Sequence, residues 1–165
     1  MTPGFELDQS QLLNQYRNLQ KKLHPDRFIQ ADDHQKLLAV QNTALVNEAY
    51  QTLKTDTSRA EYLLLQAGTE IPRDTTIQDP VFLISQMELR ENMADIADSS
   101  SPEDELEDLR TEVGAFSDAI KNEFVEHWKK GCEAELKQAV LCVQKLKFYD
   151  KLAAELNHLE EQLLD

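Results

Sequence analysis

Leu12, Tyr16, Leu19 and Leu23 step by four, three and four, which gathers them on one face of a helix. Asp8 is a good cap for its start, with Gln11 three residues later as in a capping box. Pro25 disfavours helical geometry at His24, so the helix must end there. A polar loop is expected next, then a helix from about Asp33 to Lys54 whose Val46, Tyr50 and Leu53 recur on one side. These features predict two antiparallel helices joined at His24-Pro25-Asp26, with the two apolar faces turned toward each other. Ser58 is placed to cap a further short helix through Tyr62 to Gln66, which Gly68 would end.

From Gly68 to Pro80 the chain holds one Gly, two Pro and three Thr with no apolar period, and it reads as a linker. The domains expected are therefore 1–70 and 80–165, joined by 71–79. Three helices are predicted in the second domain, at about 80–98, 102–130 and 133–164. Ser99-Ser100-Ser101-Pro102 separates the first two, with a Ser cap, Pro at the first helical position and acids in the first turn. Leu106, Leu109, Val113, Phe116 and Ile120 alternate steps of three and four, and so do Tyr149, Leu152, Leu156, Leu159 and Leu163. Such seams suit a small antiparallel bundle.

Composition agrees with an all-α protein: 165 residues include only four glycines and five prolines. The formal net charge of -14 repels nucleic acid and anionic membrane surfaces as main partners. Between Asp8 and Gln30, however, four basic residues (Arg17, Lys21, Lys22, Arg27) face two acidic ones (Asp8, Asp26). This positive island in an acidic chain suits an acidic partner. No apolar run reaches the length of a membrane span, and Met-Thr-Pro-Gly does not begin a signal peptide. Cys132 and Cys142 lie in one helix or at its start, so their Cα atoms are about 15 Å apart, beyond disulfide reach. A reducing cytoplasm fits, with both thiols packing or idle.

Little here suggests catalysis. The four glycines are scattered, so no phosphate-binding loop is encoded. His24 and Asp26 are a conceivable acid–base or metal pair, but Pro25 is expected to send their side chains different ways. His34, His127 and His158 have no ligand spacing. No cofactor, metal or catalytic residue is expected, and any nucleotide hydrolysis belongs to a partner.

His24-Pro25-Asp26 alone reads equally well as a plain helix-ending turn. Its setting adds the information: a basic helix before it, and Asn47-Glu48-Ala49-Tyr50, Leu53, Arg59 and Tyr62 after it. That arrangement resembles the J-domain, with which co-chaperones stimulate ATP hydrolysis by DnaK-type chaperones. The resemblance implies that His24, Pro25 and Asp26 engage the chaperone, with Arg17, Lys21, Lys22 and Arg27 docking on an acidic patch of its ATPase domain.

The second domain narrows the family. Phe82-Leu83-Ile84-Ser85-Gln86-Met87-Glu88-Leu89-Arg90-Glu91 and Lys145-Leu146-Lys147-Phe148-Tyr149-Asp150-Lys151-Leu152 resemble the C-terminal domain of HscB, the J-protein of bacterial iron–sulfur cluster assembly. Arg59-Ala60-Glu61-Tyr62-Leu63-Leu64 resembles the same family, and the likeness runs from Phe5 to the C-terminus. Phe82, Leu89, Met93 and Ile96 can face the bundle, which leaves Leu83, Ile84 and Met87 surplus on an adjacent flank. They are either a wide core stripe or an exposed protein-binding patch bordered by Glu88, Glu91 and Asp95. In the family, the matching positions and that of Phe148 contact the scaffold protein IscU. The resemblance thus implies a co-chaperone that stimulates an HscA-type ATPase and presents an IscU-type scaffold to it. A J-protein with another client and a helical interaction protein outside the chaperone system are the rivals. Family members open with a short helix containing Tyr-Phe and Leu-Phe-Gly-Leu before a segment like Phe5-Glu6-Leu7-Asp8. Here Met1-Thr2-Pro3-Gly4 stands where it ends. Either the start of the chain is misplaced, or that helix has been lost from it, or this J-domain lacks it; without the helix, core near Tyr16 and Tyr50 is expected to be exposed and this domain to be the weaker half.

Overall fold

The computed structural model describes residues 4–72 and 77–164. Residues 73–76 of the expected linker and 1–3 of the opening lie outside the described residues. Helices α1 (Gln9–Leu23), α2 (Asp33–Lys54), α3 (Asp56–Gln66), α4 (Pro80–Asp95), α5 (Pro102–Lys130) and α6 (Glu133–Leu164) account for most of the chain. There is no strand among the described residues. The chain divides into two compact units, Met1–Ala67 and Gly68–Asp165.

In the first unit, Asp8 caps α1 by accepting the N–H of Gln11. Antiparallel pairing of α1 with α2 is fixed by polar contacts in descending register. Gln9 donates to the Lys54 carbonyl, Tyr16 donates to Asn47 Oδ1, and Thr43 Oγ1 donates to the Leu23 carbonyl. The rings of Tyr16 and Tyr50 stack at 4.0 Å and half-bury one another. This hairpin has little interior, since α1 buries no residue and α2 buries only Ala39. Thr55, not Ser58, caps α3: its hydroxyl accepts the Ser58 N–H, because Thr55 sits extended and Asp56 already opens the helix. Gly68 follows at φ 74°, the left-handed geometry expected after a helix end.

Arg59 closes this unit. Only 4% exposed, it donates Nε–H to the Phe5 carbonyl (2.7 Å) and Nη1–H to the Leu53 carbonyl (2.6 Å), and pairs with Asp56. Its guanidinium also lies 4.8 Å above the Phe5 ring. One side chain thus ties the segment before α1 to the α2–α3 junction.

The second unit has a deeper core. Leu106, Leu109, Val113, Ile120 and Phe124 of α5 are buried together with Val143, Leu146, Tyr149, Leu152 and Leu156 of α6. Phe116, expected on the seam, sits at its edge with its ring stacked on Tyr149. Gly131, at φ 65°, ends α5 in left-handed geometry and lets α6 return antiparallel. The turn is pinned by His127 and Lys130 to Glu135, and the other end by Arg110 Nη2–H to Glu160 (2.8 Å). Ile96 is buried just beyond α4, which lays Phe82 and Leu89 inward. It stops at Asp95 rather than 98, and a 3-10 turn over Ile96–Asp98 finishes it. The Ser cap expected for α5 is also displaced. Ser101 makes no side-chain cap; Ser99 Oγ instead accepts the Ser101 N–H and donates to Glu105.

Each fully buried Leu, Val or Phe contributes about 1.5–3 kcal/mol, and the α5–α6 seam holds many more of them than the α1–α2 hairpin. Two-step urea or thermal unfolding is expected, with the first unit melting first; a single transition across the whole chain would contradict this. Arg59→Ala should destabilise the first unit by about 3 kcal/mol, because removing one partner of a buried charged network strands the rest. The second transition should stay in place.

Candidate functional site

The His-Pro-Asp turn is not an open loop but a single 3-10 turn, Pro25–Phe28, capped by His24 itself. His24 Nδ1 accepts the Asp26 N–H (3.3 Å), which leaves the proton of the neutral ring on Nε2. Pro25 therefore does not send the two side chains apart: His24 Nδ1 lies 3.5 Å from Asp26 Oδ2, an ion pair when the ring is protonated. The residue between them fixes φ without moving the flanking side chains to opposite sides. His24 and Asp26 are exposed and Pro25 is half-buried, so the turn presents its tips to solvent.

Behind the turn, Arg17, Gln20, Lys21, His24, Arg27 and Thr43 line a groove of about 540 Å³. Three of these side chains are permanent cations, and no carboxylate lines the groove. Its walls are held in place by bonds that the charges do not use. Gln20 and Tyr16 both donate to Asn47 Oδ1, and Thr43 satisfies the terminal carbonyl of α1 at Leu23. Arg27 donates to the Lys21 carbonyl (3.2 Å), a favourable place for a cation at a helix C-terminus. Lys22, grouped with the others from sequence, lies outside this lining: one residue past Lys21 is a turn of about 100° round the helix.

The second candidate face lies on α4. Leu83, Ile84 and Met87 are 39%, 57% and 63% exposed, so they are surplus apolar residues and not core. Glu88, Glu91 and Asp95 are exposed as well. At about 100° per residue, these acids follow Ile84 round the helix, whereas Arg90 lies on the opposite side, beside Leu83. Phe148 is half-buried rather than free. Its ring meets Phe82 edge-on at 5.6 Å and carries the Arg90 guanidinium 5.6 Å above it. It joins the stripe as a flank wedged between α4 and α6. Val81, 78% exposed at the first turn of α4, extends the apolar surface and escaped the sequence reading because one residue carries no period.

A helix hairpin whose basic face ends in an exposed His-Pro-Asp turn defines a J-domain, and the DnaJ domain family model matches residues 5–62. A second family model, the HSCB C-terminal oligomerisation domain, matches residues 78–157. Along its whole length the chain is similar to proteins named co-chaperone protein HscB homolog. That of Aliivibrio salmonicida is 46% identical over 162 residues, spanning 97% of this chain and 92% of the relative. That of Shewanella loihica is 41% identical over 164 residues, spanning 99% and 95%. Among solved structures, chaperone HscB from Vibrio cholerae superposes with a TM-score of 0.85 at 41% identity, covering 97% of this chain and 93% of that one. Human co-chaperone protein HscB gives 0.83 at 26% identity, covering 95% and 77%. The chain belongs to the HscB family of J-domain co-chaperones, which are regulators and not enzymes.

The cysteines lie in neither face. Cys132 is exposed just before α6, and Cys142 is buried in it. Burial pushes the Cys142 thiol up to about 11, and the Glu123 carboxylate adds to the effect. A raised thiol is protonated, and so unreactive, until pH approaches that value. Alkylation of the folded protein at pH 8 should therefore label Cys132 alone, and both residues only after denaturation. Equal labelling of the two in the folded state would contradict the burial.

Proposed function

We propose that this chain is an adaptor for an HscA-type, DnaK-like ATPase and an IscU-type iron–sulfur scaffold. The observation that carries the reading is the presence of two chemically unlike faces on one chain, each in a unit with its own core. The groove beside His24-Pro25-Asp26 offers positive charge and exposed hydrogen-bonding tips, which suits an acidic surface on the ATPase. The stripe of Leu83, Ile84 and Met87, flanked by Phe148 and edged by Glu88, Glu91 and Asp95, offers an apolar strip with an acidic rim. That suits a protein client with an apolar ridge and basic margins. No covalent step takes place on this chain. The adaptor stimulates the partner's ATP hydrolysis and brings the scaffold to it as client.

A second reading of the same stripe comes from the matched family model, whose description names oligomerisation. Two copies would then pair through α4, and sizing of the purified protein across a concentration series separates this from scaffold binding.

The central test is the steady-state ATPase of an HscA-type chaperone with this protein, with and without scaffold. Alanine at His24, Pro25 or Asp26 should abolish stimulation while helix content and scaffold binding stay unchanged. A variant that stimulates normally would remove the turn from the docking site. Lys21→Glu should weaken docking about tenfold, a loss of about 1.4 kcal/mol. Lys22→Glu, outside the groove, should cost no more than about threefold, under 0.7 kcal/mol. Rising salt should weaken the wild type in the same direction, since exposed charges are screened over about 8 Å at physiological ionic strength.

On the other face, Leu83→Ala, Ile84→Ala and Met87→Ala should each reduce scaffold affinity, with hot-spot positions costing about 2 kcal/mol or more. Their urea midpoints should barely move, as befits exposed side chains. Phe148→Ala should lower both affinity and stability, because half of that ring is packed. Normal scaffold binding by all four variants would overturn the client half of this reading.

A further inference from the structure

The stripe on α4 begins in the helix's first turn, where a helix is least secure: its leading N–H groups have no partners within the helix. Asp79 meets this weakness with both carboxylate oxygens. Oδ1 accepts the Phe82 N–H at 3.1 Å, and the backbone carbonyl of Asp79 accepts the Leu83 N–H at 2.9 Å. Oδ2 turns the other way and accepts Lys145 Nζ–H from the middle of α6 at 2.7 Å.

Lys145 is placed for this contact and for little else. Its side chain is only 17% exposed, and Nζ lies 5.3 Å from the centre of the Phe82 ring. Phe82 in turn packs edge-on against Phe148 and Tyr149. The Asp79 carboxyl is held below the usual carboxylate range by the Lys145 hydrogen bond first and the Phe82 N–H second. A lowered carboxyl keeps its charge as the solution turns acidic, so the tie is present at neutral pH and is lost only when pH falls through that depressed value.

We propose that Asp79 and Lys145 form a positioning pair for scaffold recognition, fastening the first turn of α4 to α6 so that Leu83 and Ile84 are presented in a fixed arrangement beside Phe148. The proposal rests on the reading of the α4 stripe as the scaffold-binding face. Neither residue needs to touch the scaffold. Their effect is to order the apolar side chains before binding, so that association does not bear that cost.

Two substitutions cut the tie in different ways. Asp79→Asn keeps the side-chain oxygen that caps Phe82 but removes the charge facing Lys145. Lys145→Met keeps an unbranched apolar side chain of similar length and removes the ammonium. Both are measured against an IscU-type scaffold protein by titration, with amide exchange of the free variants as a second readout. Each single variant should bind about five- to tenfold more weakly, mainly through faster dissociation. The double variant should bind no worse than the weaker single one, because the two residues act as a unit. Lys145→Arg, which keeps a charged donor facing Asp79, should bind within about twofold of the wild type. Exchange at the Leu83 and Ile84 amides should quicken, while exchange at Val113 and Leu146 in the core keeps its wild-type rate. ATPase stimulation without scaffold should be unchanged.

Wild-type affinity in Asp79→Asn and Lys145→Met, alongside weak binding by Met87→Ala, overturns the positioning pair and leaves the stripe reading intact. Additive losses in the double variant, or faster exchange throughout the core, also overturn it, the latter by showing general destabilisation. Wild-type affinity in Leu83→Ala, Ile84→Ala, Met87→Ala and Phe148→Ala as well overturns both readings together.

Discussion

A guanidinium taken almost wholly out of water must find its hydrogen bonds inside the protein, and the N-terminal unit is arranged to supply them to Arg59. The Phe5 and Leu53 carbonyls and the Asp56 carboxylate converge on it from the segment before α1, the end of α2 and the start of α3. In a larger domain a hydrophobic core would do this work. Here α1 and α2 face each other over half-buried side chains, so a directional network takes over part of the burden. The consequence for function is spatial. Arg59 clamps the end of the hairpin where α1 starts and α2 finishes, while the His-Pro-Asp turn lies at the opposite end. The turn is held by its own short bonds: His24 to the Asp26 N–H, Arg27 to the Lys21 carbonyl and Thr43 to the Leu23 carbonyl. Its side-chain tips can therefore vary in chemistry without disturbing the clamp.

Much of this was legible from residue spacing, because local rules decide most of it. Steps of three and four, the cap at Asp8, Pro102 at the first position of α5 and glycines beyond helix ends are all encoded within a few neighbouring residues. The deviations occur where two local candidates compete or where the partner is remote. Thr55 and Ser58 are both good caps three residues apart, and only the extended backbone at Thr55 decides between them. Ser99 and Ser101 pose the same ambiguity before α5. The proximity of His24 to Asp26 is not encoded in the turn's residue types, because the proline's fixed φ says nothing about where its neighbours' side chains turn. Charge alone does not separate Lys22 from Lys21, although adjacent helical residues point about 100° apart and only Lys21 lines the groove.

Remote partners were out of reach of any periodic reading. Arg59 drew notice only through likeness to a family, since nothing in the local sequence reveals a bond to a carbonyl at Phe5. Asp79 reads as the last residue of a linker, and Lys145 enters only as part of a stretch that resembles the family. They are 66 positions apart and meet only once α4 and α6 lie side by side. Surplus apolar residues were the more informative signal. A helix that already has Phe82, Leu89 and Ile96 for the core has no structural need for Leu83, Ile84 and Met87 on the next flank.

The two faces differ in how they resist error, and that difference explains why each is built as it is. A cationic groove in a chain of net charge -14 acts at a distance and tolerates loose geometry, because Coulomb attraction falls off slowly and has no preferred angle. Its residues can stay exposed, as Arg17 and Lys21 do. An apolar stripe acts only in contact, so a displacement of about 1 Å in Leu83 or Ile84 opens gaps that forfeit much of the dispersion gained. The charged face therefore needs only a scaffold of hydrogen bonds behind it. The apolar face needs its own helix secured from the first turn, and the Asp79–Lys145 contact, with Arg90 laid over Phe148 further along, fixes α4 against α6 at two points on the side where the stripe meets that ring.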